Sequence, residues 1–303
     1  MKQNSKNQLL GSVLLLICAF IWGSAFVAQT TGAEYVEPFT FICLRNILGG
    51  VILIPVVLVS DLLKKKKGIY RKIDKKEKKT LLTGGICCGV ALCFASVFQQ
   101  AGLDKGTDPG KAGFITALYI LLVPLSSLFM KKRVRPVVWI CVAASIVALY
   151  LLCVTESNSV ELSDMLVLIC AALYTVHILV IDKVSPYVDG IKLSCIQFFV
   201  ASALSFFPAL IFEGFDFEMI IAAMPSIAYA GIMSSGVAYT LQILGQQKTD
   251  PTLASMIMSL ESVFAVLTSM LVLHLAPTPR EAIGCVIMFV AIIVAQLPEK
   301  NKN

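Results

Sequence analysis

Between clusters of charged residues, this chain carries ten apolar runs of about 17 to 26 residues, at 9–28, 38–60, 81–101, 109–130, 136–154, 164–181, 191–212, 219–244, 252–273 and 281–297. Runs of that length, apolar on every face, are membrane-spanning segments rather than the one-sided helices of a soluble domain. They are helices, because an open sheet would leave its backbone groups unpaired in lipid and a barrel would show alternating segments of about ten residues. Only 15% of the 303 residues are charged. The fold class expected is therefore an all-α polytopic membrane protein with ten transmembrane helices. The first run leads into Trp22, Gly23 and Ser24 rather than a small-x-small cleavage site, so it reads as an uncleaved helix.

Basic residues orient the chain. With the N-terminus cytoplasmic, 21 of the 25 Lys and Arg fall on the inner side, Lys105, Lys111 and Arg280 fall outside, and Arg45 lies within a run. That imbalance predicts cytoplasmic N- and C-termini in a cell (plasma or inner) membrane. The outer loops TESNSVELSD and EGFDFEM carry acids and no bases. The basic stretch from Lys64 to Lys79 reads as a topology determinant against anionic headgroups of the lipid bilayer, not as a nucleic-acid patch.

The chain repeats itself. GVALCFASVFQQ from Gly89 returns as GVAYTLQILGQQ from Gly236, and TDPGKAGFITALYI from Thr107 returns as TDPTLASMIMSLES from Thr249. These matches set the third run on the eighth and the fourth on the ninth. Each unit then holds five spans, residues 1–154 and 155–303, and an odd number inverts the second copy relative to the first. Inverted repeats of this kind are typical of secondary transporters, whose substrate site lies near the midplane between the halves.

Glu261 is the carboxylate set deep in an apolar run. At 1.5 Å per residue from about Thr252 it lies roughly 13 Å in, near the middle of a ~30 Å hydrocarbon core. Such a residue is either part of a substrate or ion pathway, or a protonated or hydrogen-bonded packing residue. Arg45 is the basic residue inside a run. Its expected depth makes Glu261 a partner, directly or through substrate; the other reading is that Arg45 snorkels to the outer surface. Trp22, Tyr119 and Tyr239 are amphipathic aromatics suited either to lining a cavity for a neutral or aromatic solute or to packing. His177 sits mid-run as a second coupling candidate or as an interhelical hydrogen-bonder. Gln100 and Gln247 recur at the ends of the third and eighth runs. Pro55, Pro124, Pro208 and Pro225 are kink candidates, Pro109 and Pro251 open their helices, and pairs such as Ala19/Gly23 and Gly113/Ala117 suit close helix packing.

In order along the chain, AFIWGSAFV from Ala19, FTFICLRNILGG around Arg45, PGKAGFITALYILLVPL from Pro109 and SLESVFAVL around Glu261 resemble the EamA-type members of the drug/metabolite transporter superfamily. The resemblance implies a bacterial inner-membrane carrier of small metabolites, commonly an exporter of amino acids or related compounds. Its cavity would lie between two five-helix halves, with Trp22, Arg45, Tyr119, Tyr239, Glu261 and Ser262 as substrate-binding candidates and Glu261 and His177 as coupling candidates. The chain departs from the family at two places. Where a Gly-Glu pair usually ends the fourth and ninth spans, Phe129, Met130, Lys131 and Leu273, His274, Leu275 stand.

No cofactor is called for: there is no GxxxxGK[ST] motif, so transport is secondary or passive. The ten cysteines form no CxxC pair and have no histidines near them, which speaks for packing rather than metal binding. A membrane-embedded enzyme would need a cluster of nucleophile, base or metal ligands. A channel would want a ring of repeated polar groups. Neither pattern is present, and a small-molecule substrate moved by alternating access is the expectation.

Overall fold

The computed structural model describes residues 2–297 apart from 72, 108, 130–133, 154–160 and 274–277. The expected repeat boundary at 154/155, the departures at Met130, Lys131, His274 and Leu275, and the side chains of Lys111 and Cys153 lie outside what is described. Every element among the described residues is helical. In chain order these are α1 (Lys2–Ala33), α2 (Pro38–Lys66), α3 (Lys75–Asp104), α4 (Pro109–Thr116), α5 (Tyr119–Phe129), α6 (Pro136–Cys153) and α7 (Leu162–Val184). They continue with α8 (Gly190–Pro208), α9 (Phe217–Tyr229), α10 (Thr240–Gln246), α11 (Pro251–Met258), α12 (Glu261–Leu273) and α13 (Pro279–Gln296). Eight helical segments are long and apolar enough to cross a membrane, and two more apolar helices, Pro136–Leu152 and Pro251–Ala265, are shorter.

Helices overrun the apolar runs because caps, not lipid, stop them. Asp74 starts α3 six residues before the apolar stretch by accepting from the Glu77 N–H at 2.7 Å. α2 runs on through Lys64, Lys65 and Lys66, whose charges suit the negative end of the helix dipole. Asp189, Asp216 and Asp250 cap α8, α9 and α11 in the same way.

Two expected spans are broken. The 109–130 run divides into α4 and α5 around Ala117 and Leu118, and the 252–273 run into α11 and α12 around Ser259 and Leu260. Matching hydrogen bonds tighten at both breaks. Leu118 N–H donates to Ile115 O (3.2 Å) and Ile120 N–H to Ala117 O (3.0 Å); Leu260 N–H donates to Ile257 O (3.1 Å) and Ser262 N–H to Ser259 O (3.3 Å). At the second break Ser259 Oγ also donates to Met256 O at 2.7 Å, the carbonyl that Leu260 N–H would use in a continuous helix. Proline causes neither break. Pro55 and Pro124 lie within unbroken α2 and α5, whereas π-helical segments, Ala209–Glu213 and Ala230–Tyr239, follow Pro208 directly and Pro225 within five residues.

α3 packs along α7 and α8, α1 along α9, α10, α11 and α12, α2 along α8 and the Ala230–Tyr239 segment, and α6 along α13. Glycine permits the tightest of these contacts at the centre: a Cβ on Gly23 of α1 would stand 2.5 Å from the Glu261 carbonyl oxygen. One apolar cluster gathers around α5, α6, α11 and α13 and another around α2, α3, α8 and α9; Trp22 and Tyr174 pack against both.

Candidate functional site

Where the two clusters meet lies a narrow, partly open cavity. α2 contributes Arg45 and the broken helix contributes Glu261, both on the cavity wall and only 3% and 4% exposed. Neither has an ion-pair partner among the described residues. The Arg45 guanidinium sits in a neutral cradle, donating from Nη1 to Gln29 Oε1 (3.0 Å), from Nη2 to Ser234 Oγ (2.9 Å) and from Nε to Ser235 Oγ (3.3 Å). Glu261 Oε1 accepts from the Tyr119 hydroxyl at 3.1 Å. A guanidinium held only by neutral acceptors and a carboxyl group held only by a phenol leave unmatched capacity on both sides of one space.

The π-helical turn explains the cradle. Ala230–Tyr239 brings the adjacent Ser234 and Ser235 onto the same guanidinium, and Gly49 of α2 lets the two backbones approach: a Cβ there would stand 2.7 Å from Ser235 Cβ. The aromatic wall is Trp22, Tyr119, Tyr174 and Tyr239, with Trp22 edge-on to Tyr239 at 4.7 Å between ring centroids. Tyr174 and Tyr239 share a hydroxyl hydrogen bond of 3.0 Å. Gln99 Nε2 donates to Thr116 Oγ1 at 3.0 Å, and Gln242 completes the polar lining.

Of the residues singled out from sequence, Trp22, Arg45, Tyr119, Tyr239 and Glu261 come together on this cavity. The expectations for Arg45 and Ser262 are corrected, and His177 takes the interhelical hydrogen-bonding reading. Arg45 and Glu261 do not pair directly, because each is engaged by neutral side chains; nor does Arg45 snorkel, being buried in its cradle. Ser262 is buried beside Glu261 but is not part of the lining; as the next residue on α12 it turns to another side, toward Gly113. His177 lies behind the wall, edge-on to Tyr239 at 5.9 Å, with Nε2–H donating to Gln197 Oε1 at 3.0 Å. Gln100 and Gln247, the repeated residues, reach backbone carbonyls of neighbouring elements, Gln29 O (3.1 Å) and Ser185 O (2.7 Å). Sequence reasoning missed Gln29, Tyr174, Ser234 and Gln242. The available signal was a polar side chain inside an apolar run, the same signal that singled out Glu261.

Comparisons with known proteins bear on the family and the fold. The model of the EamA-like transporter family matches residues 9–154 and again 162–296. An uncharacterized transporter of Archaeoglobus fulgidus is 29% identical over 286 residues, covering 93% of this chain and 84% of its own. The uncharacterized transporter YwfM of Bacillus subtilis is 22% identical over 294 residues, 96% of each chain. A crystal structure with 18% sequence identity superposes with a TM-score of 0.75 over 94% of this chain and 96% of the other, which shows a shared fold. Family and relatives are those of a membrane transporter rather than an enzyme, and the two matches together take in nearly all of the chain: it belongs to the EamA-like transporter family of the drug/metabolite transporter superfamily.

Proposed function

We propose that this transporter exports a small zwitterionic metabolite, an amino acid or related compound, by alternating access about the Arg45–Glu261 cavity. The observation that carries the reading is the pair of buried, oppositely charged side-chain types on one cavity wall, each held only by neutral partners. A zwitterion supplies a carboxylate to the guanidinium and an ammonium to the carboxylate, and so offsets the two desolvated groups together. Glu261 is then also the coupling group. His177, separated from the cavity by Tyr239 and bonded to a neutral amide, supports the wall.

The scaffold in this reading is ten spans in two inverted five-helix repeats, 1–154 and 155–303, with both termini cytoplasmic in the cell membrane. Three observations support it. The family model matches the chain twice; the breaks at Ala117–Leu118 and Ser259–Leu260 carry the same hydrogen-bond register; and the packing of α3 on α7 is matched by that of α9 and α10 on α1. The test is reconstitution into liposomes with a panel of radiolabelled zwitterionic, cationic and anionic metabolites, with and without an imposed pH gradient. Saturable uptake of zwitterions that Glu261→Gln abolishes supports the reading; selective uptake of simple cations or anions overturns it.

A further inference from the structure

Arg45 and Glu261 account for two charged ends of a substrate and leave the rest of it unspecified. Most polar groups on the same wall are already engaged: Gln29 and Ser234 accept from Arg45, Gln99 donates to Thr116, and Tyr174 and Tyr239 bond each other. Two buried ones have no partner among the described residues, the indole Nε1–H of Trp22 and the amide Oε1 of Gln242, and both residues line the cavity. Gln242 is 1% exposed, so bulk solvent does not reach its amide. Both are linked to Tyr239: Trp22 stands edge-on to its ring, and Gln242 of α10 follows it by three residues.

Buried polar groups left unpaired are destabilising and are ordinarily satisfied, so a donor and an acceptor left open among the residues of one cavity wall call for a group that accepts from one and donates to the other. An aliphatic side chain does neither. We propose that, beyond its two charged ends, the substrate carries a neutral group that is both donor and acceptor, a hydroxyl or carboxamide, read by Trp22 and Gln242. Such a group suits either orientation of the Gln242 amide. A site built to hydrogen-bond a substrate group discriminates strongly against the analogue that lacks it, because its own buried groups then stay unpaired. This inference rests on the cavity being the substrate site for zwitterions.

The test is calorimetric binding to the full-length protein in lipid nanodiscs with near-isosteric probe pairs, threonine against valine and glutamine against norleucine. Threonine and glutamine are expected to bind about tenfold or more tighter than their apolar partners, and Trp22→Phe or Gln242→Met to bring that ratio down toward one. The ratio within each variant is the readout, so a general loss of affinity does not mimic the result, and a ligand-free melting curve for each variant identifies any that fails to fold; the wild-type ratio stands without them. Equal binding of both members of each pair by the wild type overturns this inference and leaves the zwitterion reading intact. Binding of no zwitterion, with capture of a simple cation or anion, overturns both. A wild-type preference that both variants keep assigns the discrimination to other residues and overturns the roles of Trp22 and Gln242.

Discussion

Tyr119 and Glu261, 142 residues apart, are each the first residue after a break in an apolar helix, and the Tyr119 hydroxyl donates to Glu261 Oε1 at 3.1 Å across the cavity. The same position in two similar helices carries a phenol in one and a carboxyl in the other. A repeat that was symmetric in residue as well as in shape would set two carboxyl groups or two phenols face to face. The difference turns a structural match into a donor and acceptor pair.

Removing one side of that pair is expected to show it. Tyr119→Phe keeps the ring and deletes the one hydrogen bond to the Glu261 carboxyl among the described residues, and should lower substrate affinity roughly tenfold. Glu261→Gln should abolish zwitterion transport and any dependence on an imposed pH gradient. Counterflow assays in proteoliposomes measure both; unchanged transport and pH dependence in Glu261→Gln would remove the carboxylate from the mechanism.

Arg45 tests the cradle. A lysine keeps the charge but not the fork that reaches Gln29, Ser234 and Ser235 at once, so Arg45→Lys should lose at least tenfold in affinity. Ser234→Ala leaves one guanidinium N–H without its acceptor and is expected to lower stability by about 1–3 kcal/mol. Binding calorimetry and denaturation in detergent separate the two effects, and a fully active Arg45→Lys contradicts the forked role.

How much of this was legible beforehand follows from what a bilayer imposes. Apolar length and charge clustering are forced by lipid, so the described residues of every expected run are mainly helical, and internal similarity points to the paired positions of Tyr119 and Glu261. Hydropathy is blind to local backbone hydrogen bonding, so the breaks at Ala117–Leu118 and Ser259–Leu260 leave no mark in the apolar pattern. Depth along a helix was read well enough to bring Arg45 and Glu261 to one cavity. Azimuth is not legible in this way, which is why Ser262, expected on the cavity, faces elsewhere. The cradle of Gln29, Ser234 and Ser235 depends on a π-helical turn that no periodicity announces.

On the side of the basic loop, α2 and α8 are joined by crossed ion pairs. Lys64 bonds Asp189, and Lys192 bonds Asp61 at 2.8 Å. Partly exposed pairs are worth about 0.2–1 kcal/mol each. Single reversals such as Asp61→Lys should lower the melting temperature, and Asp61→Lys with Lys192→Asp should restore it; no recovery in the double variant means the pairs are incidental.

The same clasp has a pH signature. Burial works to raise the pKa of Asp189, but the Lys64 ammonium, the Lys192 backbone N–H and both lysine charges outweigh it and hold the carboxylate below its ordinary range. A carboxylate depressed in the folded state stabilises at pH above its unfolded value, about 3.9, and that contribution fades as pH falls through the depressed folded value. Melting curves of wild type and Asp189→Asn should therefore differ by a constant amount from pH 7 to 5 and converge below about pH 4. A gap that widens on acidification contradicts this sign.

The sharpest test of the broken helix is Ser259→Ala. The hydroxyl holds Met256 O at 2.7 Å, while Leu260 N–H falls back on Ile257 O. Without the hydroxyl, Met256 O is free to accept from Leu260 N–H, and α11 runs into α12 as one regular helix. Alanine is the better helix former by a few tenths of a kcal/mol, so stability should hold or rise. Regular geometry rotates Glu261 relative to Met258 and draws its carboxyl away from the Tyr119 hydroxyl, so transport should drop at least tenfold. A fall in transport with an unchanged or higher melting temperature is the combination expected. A variant that transports normally means the backbone breaks there without help from the serine.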